Sequence, residues 1–189
     1  MRKELGMHML KSAVRGASTL LVISGGLLAS GLLAGGDASA QAPNPYAAPI
    51  NVDVARRAAV AAIVEGKKNG WTVAAAVVDS GGALVYFERI DGTQYGSSDV
   101  AIAKARSAAA FKRPTKAFEE AVAGGRNAIL SLPGAIPLEG GIPIILDGKI
   151  VGALGVSGAT SQQDGVCAQA GVNSVAPPAK AAPAPPAKK

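Results

Sequence analysis

The sequence predicts an α+β domain in which helices cover an antiparallel sheet built from two hairpins, in the order α-β-β-α-α-β-β-α. Three observations predict it. Asp79-Ser80-Gly81-Gly82 separates an apolar run from an alternating one, Asp147-Gly148 separates two further apolar runs, and the flanking segments carry apolar residues at helical spacing. Connections of two and four residues force adjacent strands to run antiparallel, which excludes a Rossmann-type parallel sheet.

Each element has its own signal. Residues 53–68 place Ala55, Ala59, Ala62 and Ile63 on one helical face, widened by Val60 and Val64, and Asn69-Gly70 closes the helix. Thr72 to Val78 reads as a buried strand. Ala83 to Arg89 alternates Leu84, Tyr86 and Glu88 against Val85, Phe87 and Arg89, the period of a strand with two unlike faces. After a loop from Ile90 to Tyr95, a helix runs from Ser98 to about Lys112 with Ser97 as its cap, and Arg113-Pro114 stops it. Thr115 caps a further helix to about Ala123, which Gly124-Gly125 ends.

A Pro- and Gly-rich loop, Leu132 to Gly141, leads to the second hairpin, Ile142 to Leu146 and Lys149 to Val156. Pro143 cannot donate to a ladder, so its strand lies at an edge or is just beginning. Ser157-Gly158 then turns into a last helix, 161–170, in which Ser161 and Asp164 have capping-box spacing and Gly171 is a natural stop.

The chain has 189 residues, enough for one ordinary domain. Residues 1–40 read as a signal peptide: Arg2, Lys3, Lys11 and Arg15 precede an uncharged run from Gly16 to Gly36, followed by Ala38-Ser39-Ala40. An uncleaved membrane anchor is the alternative. Residues 41–50 form an extended lead-in, 51–175 the folded domain, and 176–189 a Pro/Ala/Lys tail expected to be extended and disordered. The expected destination is secreted or periplasmic.

Cleavage near Ala40 would remove His8, Met1, Met7 and Met9, the chain's only histidine and its three methionines. A mature protein of this kind has no Ser-His-Asp or Cys-His site, no imidazole zinc site and no His or Met ligand for haem iron. The net charge of +6 is concentrated at the ends. Residues 1–40 carry +2 and the tail +3, leaving +1 for the rest, so no nucleic-acid partner is expected. Cys167 is the single cysteine, which excludes an intramolecular disulfide; it is either a buried small hydrophobe or a redox-active thiol.

Few residues offer chemistry. Gly152, Gly155 and Gly158 lie in and after a hairpin strand, which suits close backbone packing and not a dinucleotide. Ser157 has no histidine to activate it. A charged group gathers at Glu88, Arg89, Asp91, Lys104 and Lys112-Arg113, with Lys104, Ala108 and Phe111 on one helical face, where an ammonium beside apolar atoms could hold an anionic ligand. The alternative is a solvated face with lysines stretched along it. Thr115 and Asp164 read as caps, or as groups facing a pocket together with Glu139-Gly140-Gly141.

These motifs, taken in order, resemble the GlcG/HbpS-like family of haem-binding proteins, to which the C-terminal domain of PduO-type proteins is also similar. The resemblance covers about residues 51–173. It is carried by Val77 to Gly92 (VVDSGGALVYFERIDG), Ala101 to Phe111 with Arg113-Pro114-Thr115 after it, Gly140 to Ile144 (GGIPI), Asp147 to Gly158 (DGKIVGALGVSG) and Gln162 to Asp164. It implies a profilin-like α+β domain that assembles into homo-oligomers and, in exported members, binds haem, in some with slow haem degradation or signalling to a membrane sensor partner. The positions matching the family's recurrent polar residues are Arg89, Asp91, Lys104, Arg113, Thr115, Ser157 and Asp164, for which the resemblance implies a pocket or interface role. Phe111 and Gly141 complete the ligand-binding candidates, with Cys167 as the redox candidate and no metal set.

The reading from sequence is an exported protein that binds haem or a related anionic tetrapyrrole, with propionates meeting Arg89, Lys104 or Arg113. Iron would have to take Thr115, Tyr86, Tyr95, Lys104 or Cys167 as ligand. Two alternatives stand beside it: an enzyme acting on haem or a small 2-hydroxy acid, with Asp91, Asp164, Glu88 or Lys104 as base, and an extracytoplasmic interaction or signalling module.

Overall fold

A computed structural model describes residues 44–175; the expected signal segment and the Pro/Ala/Lys tail lie outside the described residues. Its first helix, α1 (Val52–Lys68), starts where Asn51 accepts a hydrogen bond from the Val54 N–H at 2.9 Å. The first hairpin follows as β1 (Ala74–Asp79) and β2 (Leu84–Arg89), and its turn is fastened by Asp79, whose carboxylate accepts from the N–H groups of Gly81 and Ala83. Then come α2 (Gly96–Phe111), α3 (Lys116–Ala123) and a 3-10 turn (Asn127–Ser131). The second hairpin, β3 (Gly141–Leu146) and β4 (Lys149–Ser157), leads into α4 (Ser161–Asn173). Asp147 and Gly148 both have positive φ, +50° and +72°, as a tight two-residue hairpin turn requires. The order α-β-β-α-α-β-β-α is the expected one.

One four-stranded antiparallel sheet holds both hairpins, in the order β2-β1-β4-β3. Pro143 therefore sits on an edge strand, where a missing N–H costs nothing. Residues 45–50, expected to be only a lead-in, also join the sheet, because Ile150 donates to Pro45 and accepts from Ala47.

Strand alternation sorts the core into two layers. Ala75, Val77, Leu154 and Val156 face α1 and α4, while Ala74, Ala76, Val78 and Ala153 face α2. With alanine at so many contacts, the helix backbones come close to the strands. A methyl at Gly155 would run into the Ala101 carbonyl of α2, so only glycine fits there.

Several local expectations shift. Val77 pairs with Tyr86 and Val78 with Leu84, leaving Val85 as a bulge; Leu84 therefore does not share a face with Tyr86 and Glu88. Helix α2 begins two residues earlier than expected, and the Ser97 hydroxyl is buried without a partner instead of capping it. Phe111 ends α2, with Lys112 left-handed at φ +54°. In α4 the cap is Thr160 with Gln163, a full capping box, so neither Ser161 nor Asp164 plays that part. Helix α4 also runs through Gly171 to Asn173; glycine there serves close packing and not a stop, since a side chain would collide with Leu154 and the Ala58 carbonyl.

Candidate functional site

Lys104 is drawn inward by what surrounds it. Its ammonium donates to Asp164 Oδ2 at 2.8 Å and to the Val156 carbonyl at 3.1 Å, and the two side chains of the pair are 2% and 3% exposed. The solvated lysine considered from sequence is thus excluded. The second Asp164 oxygen accepts from the Ala159 N–H at 3.0 Å. Burial pushes the Asp164 carboxyl above the ordinary carboxylate range, while Lys104 and the backbone N–H groups pull it back.

The double glycine at the start of β3 closes over this pair. A Cβ on Gly140, whose φ is +127°, would meet the Val156 carbonyl, Asp164 and the Lys104 ammonium; one on Gly141 would meet the Lys104 carbonyl and Thr115. Thr115, fully buried, holds the same turn: its hydroxyl donates to the Leu138 carbonyl at 2.6 Å and accepts from the Gly141 N–H at 2.9 Å. It sits at the head of α3 without capping it, because its oxygen is committed to the 138–141 turn.

Outside this turn lies a recess of about 340 Å³ lined by Pro114, Lys116, Glu139, Gly140, Gly141, Ile142, Gly165, Val166 and Gln169. Lys116 pairs with Glu139 at 3.1 Å, which raises the Lys116 pKa. Glu119 accepts from the Glu139 N–H. The floor is apolar and glycine-faced, and the rim is charged, an arrangement suited to a ligand with an apolar body and ionic groups at its edge.

The expected residues fall into three places. Lys104, Thr115, Gly141 and Asp164 meet behind the recess, and buried Ser157 follows Val156 on the adjoining strand. Phe111 and Arg113 pack at the α2 to α3 corner on Phe118, the rings 5.3 Å apart edge to face and the guanidinium 5.7 Å above. Arg89, the last residue of β2, and Asp91 just after it are exposed at the opposite edge of the sheet, with Arg89 stacked 5.3 Å over Tyr95. The charged group read from sequence is thus not one cluster. Cys167 is buried, and burial pushes its thiol up to about 11. Lys116, Gly165, Val166 and Gln169 escaped sequence reading; Gly165 and Gln169 share one face of α4 four residues apart, next to Asp164, which was the available signal.

The fold and recess define a class: a small α+β domain whose two hairpins share one sheet, with a buried lysine–carboxylate pair behind a glycine-lined recess. The chain belongs to the HbpS-like family, whose model, described as haem degrading protein HbpS-like, matches residues 50–173. It is similar to protein GlcG of Escherichia coli (strain K12), 44% identical over 93 residues that make up 49% of this chain and 69% of GlcG. The crystal structure of a double mutant of HbpS from Streptomyces reticuli is 28% identical with a TM-score of 0.62, covering 84% of this chain and 97% of that one. The crystal structure of a PduOC–haem complex shares the fold at 24% identity and a TM-score of 0.60, over 67% of this chain and 94% of that one.

Proposed function

We propose that this chain is an exported protein that binds haem or a related anionic tetrapyrrole, for scavenging, buffering or sensing. The observation that carries the reading is the recess at Gly140-Gly141, apolar within and rimmed by the Lys116–Glu139 pair, in a chain of the haem degrading HbpS-like family. The haem in the PduOC complex supports the same ligand class on the same fold.

The residues present fit a haem held by its edge and its propionates. Residues 44–175 contain neither His nor Met. The Thr115 hydroxyl already makes two hydrogen bonds, the Tyr86 hydroxyl donates to Glu88, and Lys104 and Cys167 are buried. Tyr95, 85% exposed, is the accessible phenol of the set. Tyr95 lies by β2, across the sheet from the recess, so no residue of that set offers a free iron ligand there; the recess, about 340 Å³ and near the lower end of the roughly 300–1,000 Å³ typical of small-molecule sites, would cover part of a tetrapyrrole. Pro114, Ile142 and Val166 would receive its apolar body, and Lys116 would meet a carboxylate. Bound, the group would supply the redox and oxygen chemistry of its iron.

Absorbance titration of the purified protein with haemin tests this. A saturable Soret shift, reversed by a competing haem-binding protein, is the expected result. Haemin that stays spectrally free at micromolar protein overturns the proposal.

A further inference from the structure

We propose that Glu139 is a built-in competitor for the ligand's carboxylate: it engages Lys116, and a ligand gains that lysine only by turning Glu139 away. The inference rests on the tetrapyrrole reading above and adds the residue that sets how tightly the recess accepts an acidic group.

Lys116 is the cation among the residues that line the recess, and it is already committed. Its ammonium donates to both carboxylate oxygens of Glu139, at 3.2 and 3.1 Å, and both residues line the recess. Glu119 and Glu120, three and four residues further along α3, add negative charge beside the same ammonium. An acidic group at this rim therefore meets three carboxylates around one lysine. Of the three, Glu139 is the one in contact with the lysine, while Glu119 accepts from the Glu139 N–H.

The hydrogen bonds decide what can move. Thr115 holds the Leu138 carbonyl and the Gly141 N–H, and the Gly140 carbonyl accepts from the Val156 N–H at 2.9 Å. The backbone is thus pinned on both sides of Glu139, which leaves its side chain to swing. That side chain lies across Gly165 of α4, where a Cβ would meet Glu139 Cγ, Cδ and Oε1 first. Glycine at 165 makes room for it. A change of Glu139 rotamer would uncover Gly165, widen the recess and release Lys116 in one movement. The tie is easily broken, because the Lys116 side chain is 51% exposed and a pair so open to water is weak.

Haemin titration of the purified protein and of Glu139→Gln, which keeps the shape and removes the charge, tests this. The variant is expected to bind haemin about fivefold more tightly at low salt. Haemin dimethyl ester, whose propionates carry no charge, should show no such gain. In a Lys116→Met background the Glu139→Gln gain should shrink. Equal or weaker haemin binding in Glu139→Gln, or an equal gain for the ester, overturns the competitor role and leaves the tetrapyrrole reading standing. Haemin that stays spectrally free with parent and variant alike overturns that reading and the competitor with it. The pair is also read without a ligand: Glu139 raises the Lys116 pKa, so the Lys116 ammonium is expected to titrate at lower pH in Glu139→Gln by NMR. An unchanged Lys116 titration overturns the proposal as well.

Discussion

Lys104 and Asp164 stand sixty residues apart in the chain and 2.8 Å apart in the fold, and together they tie α2 to the first turn of α4. A second contact, from the ammonium to the Val156 carbonyl, fixes the pair to the end of β4. Removing one partner strands the other charge in the interior. Lys104→Met is expected to cost about 3–5 kcal/mol of stability, and adding Asp164→Leu to recover much of it. Urea unfolding of the single and double variants measures this; a single variant as stable as the parent would show that the pair is not a structural tie.

The buried Cys167 thiol, with its pKa raised from 9.0 to about 11, is expected to resist alkylation at pH 8 in the native protein and to react fully once urea unfolds it. The sign follows from linkage: the folded thiol holds its proton more tightly than the unfolded one, so its contribution is complete below pH 9 and is lost as pH rises toward 11. Cys167→Ala should flatten that alkaline decline. Rapid native labelling at pH 8 would contradict the burial.

Thr115→Val keeps the shape of a side chain whose hydroxyl bridges Leu138 and Gly141 while deleting both bonds. Leaving the part-buried Leu138 carbonyl and the buried Gly141 N–H unpaired is expected to cost about 1–3 kcal/mol. Amide exchange should accelerate first at Gly140 and Gly141. An unchanged melting temperature with unchanged exchange would mean that the turn is held by other contacts.

Gly155→Ala forces a methyl into the Ala101 carbonyl of α2. Overpacking of this kind is expected to destabilise by about 3 kcal/mol or more, since neither strand nor helix backbone yields easily. Gly148→Ala, where a Cβ meets nothing within 4 Å but φ is +72°, should cost only about 1 kcal/mol. Thermal unfolding of the two variants compares them, and equal costs would refute close packing at Gly155.

At the recess rim, Lys116→Glu is expected to weaken haemin binding about threefold at low salt, without altering the thermal midpoint by more than a few degrees, since the side chain is exposed. Fluorescence quenching of Trp71 during haemin titration gives the affinity. Equal affinity in the variant would move the carboxylate contacts elsewhere on the surface.

Most of the element order was legible because it rests on local chemistry. Asp79 to Gly82 and Asp147-Gly148 announce their turns, and the alanine periodicity of α1 announces its buried face. The misplaced details are those decided from a distance. Thr160 outranks Ser161 as a cap because the Gln163 side chain completes the box. Gly171 is glycine because α1 and Leu154 leave no room for a side chain, and not because the helix ends there. Asp164 cannot be recognised as the partner of Lys104 from spacing, since nothing local distinguishes it from a capping carboxylate. Arg89 and Asp91 lie close to Lys104 in sequence, yet the strand order sends them to the far edge of the sheet.

That strand order governs how the chain must assemble. Each hairpin closes on itself over a few residues, but β1 and β4 can pair only after Ala74 finds Ser157 and Val77 finds Leu154, across most of the domain. Until then the two strands destined for the middle are raw edges, and β1, buried from Ala74 to Val78 in the finished fold, is among the most apolar segments of the chain. A half-folded molecule thus offers the hairpin its neighbour is missing, so crowded refolding is where exchange of hairpins between chains, and aggregation along the bare edges, would begin.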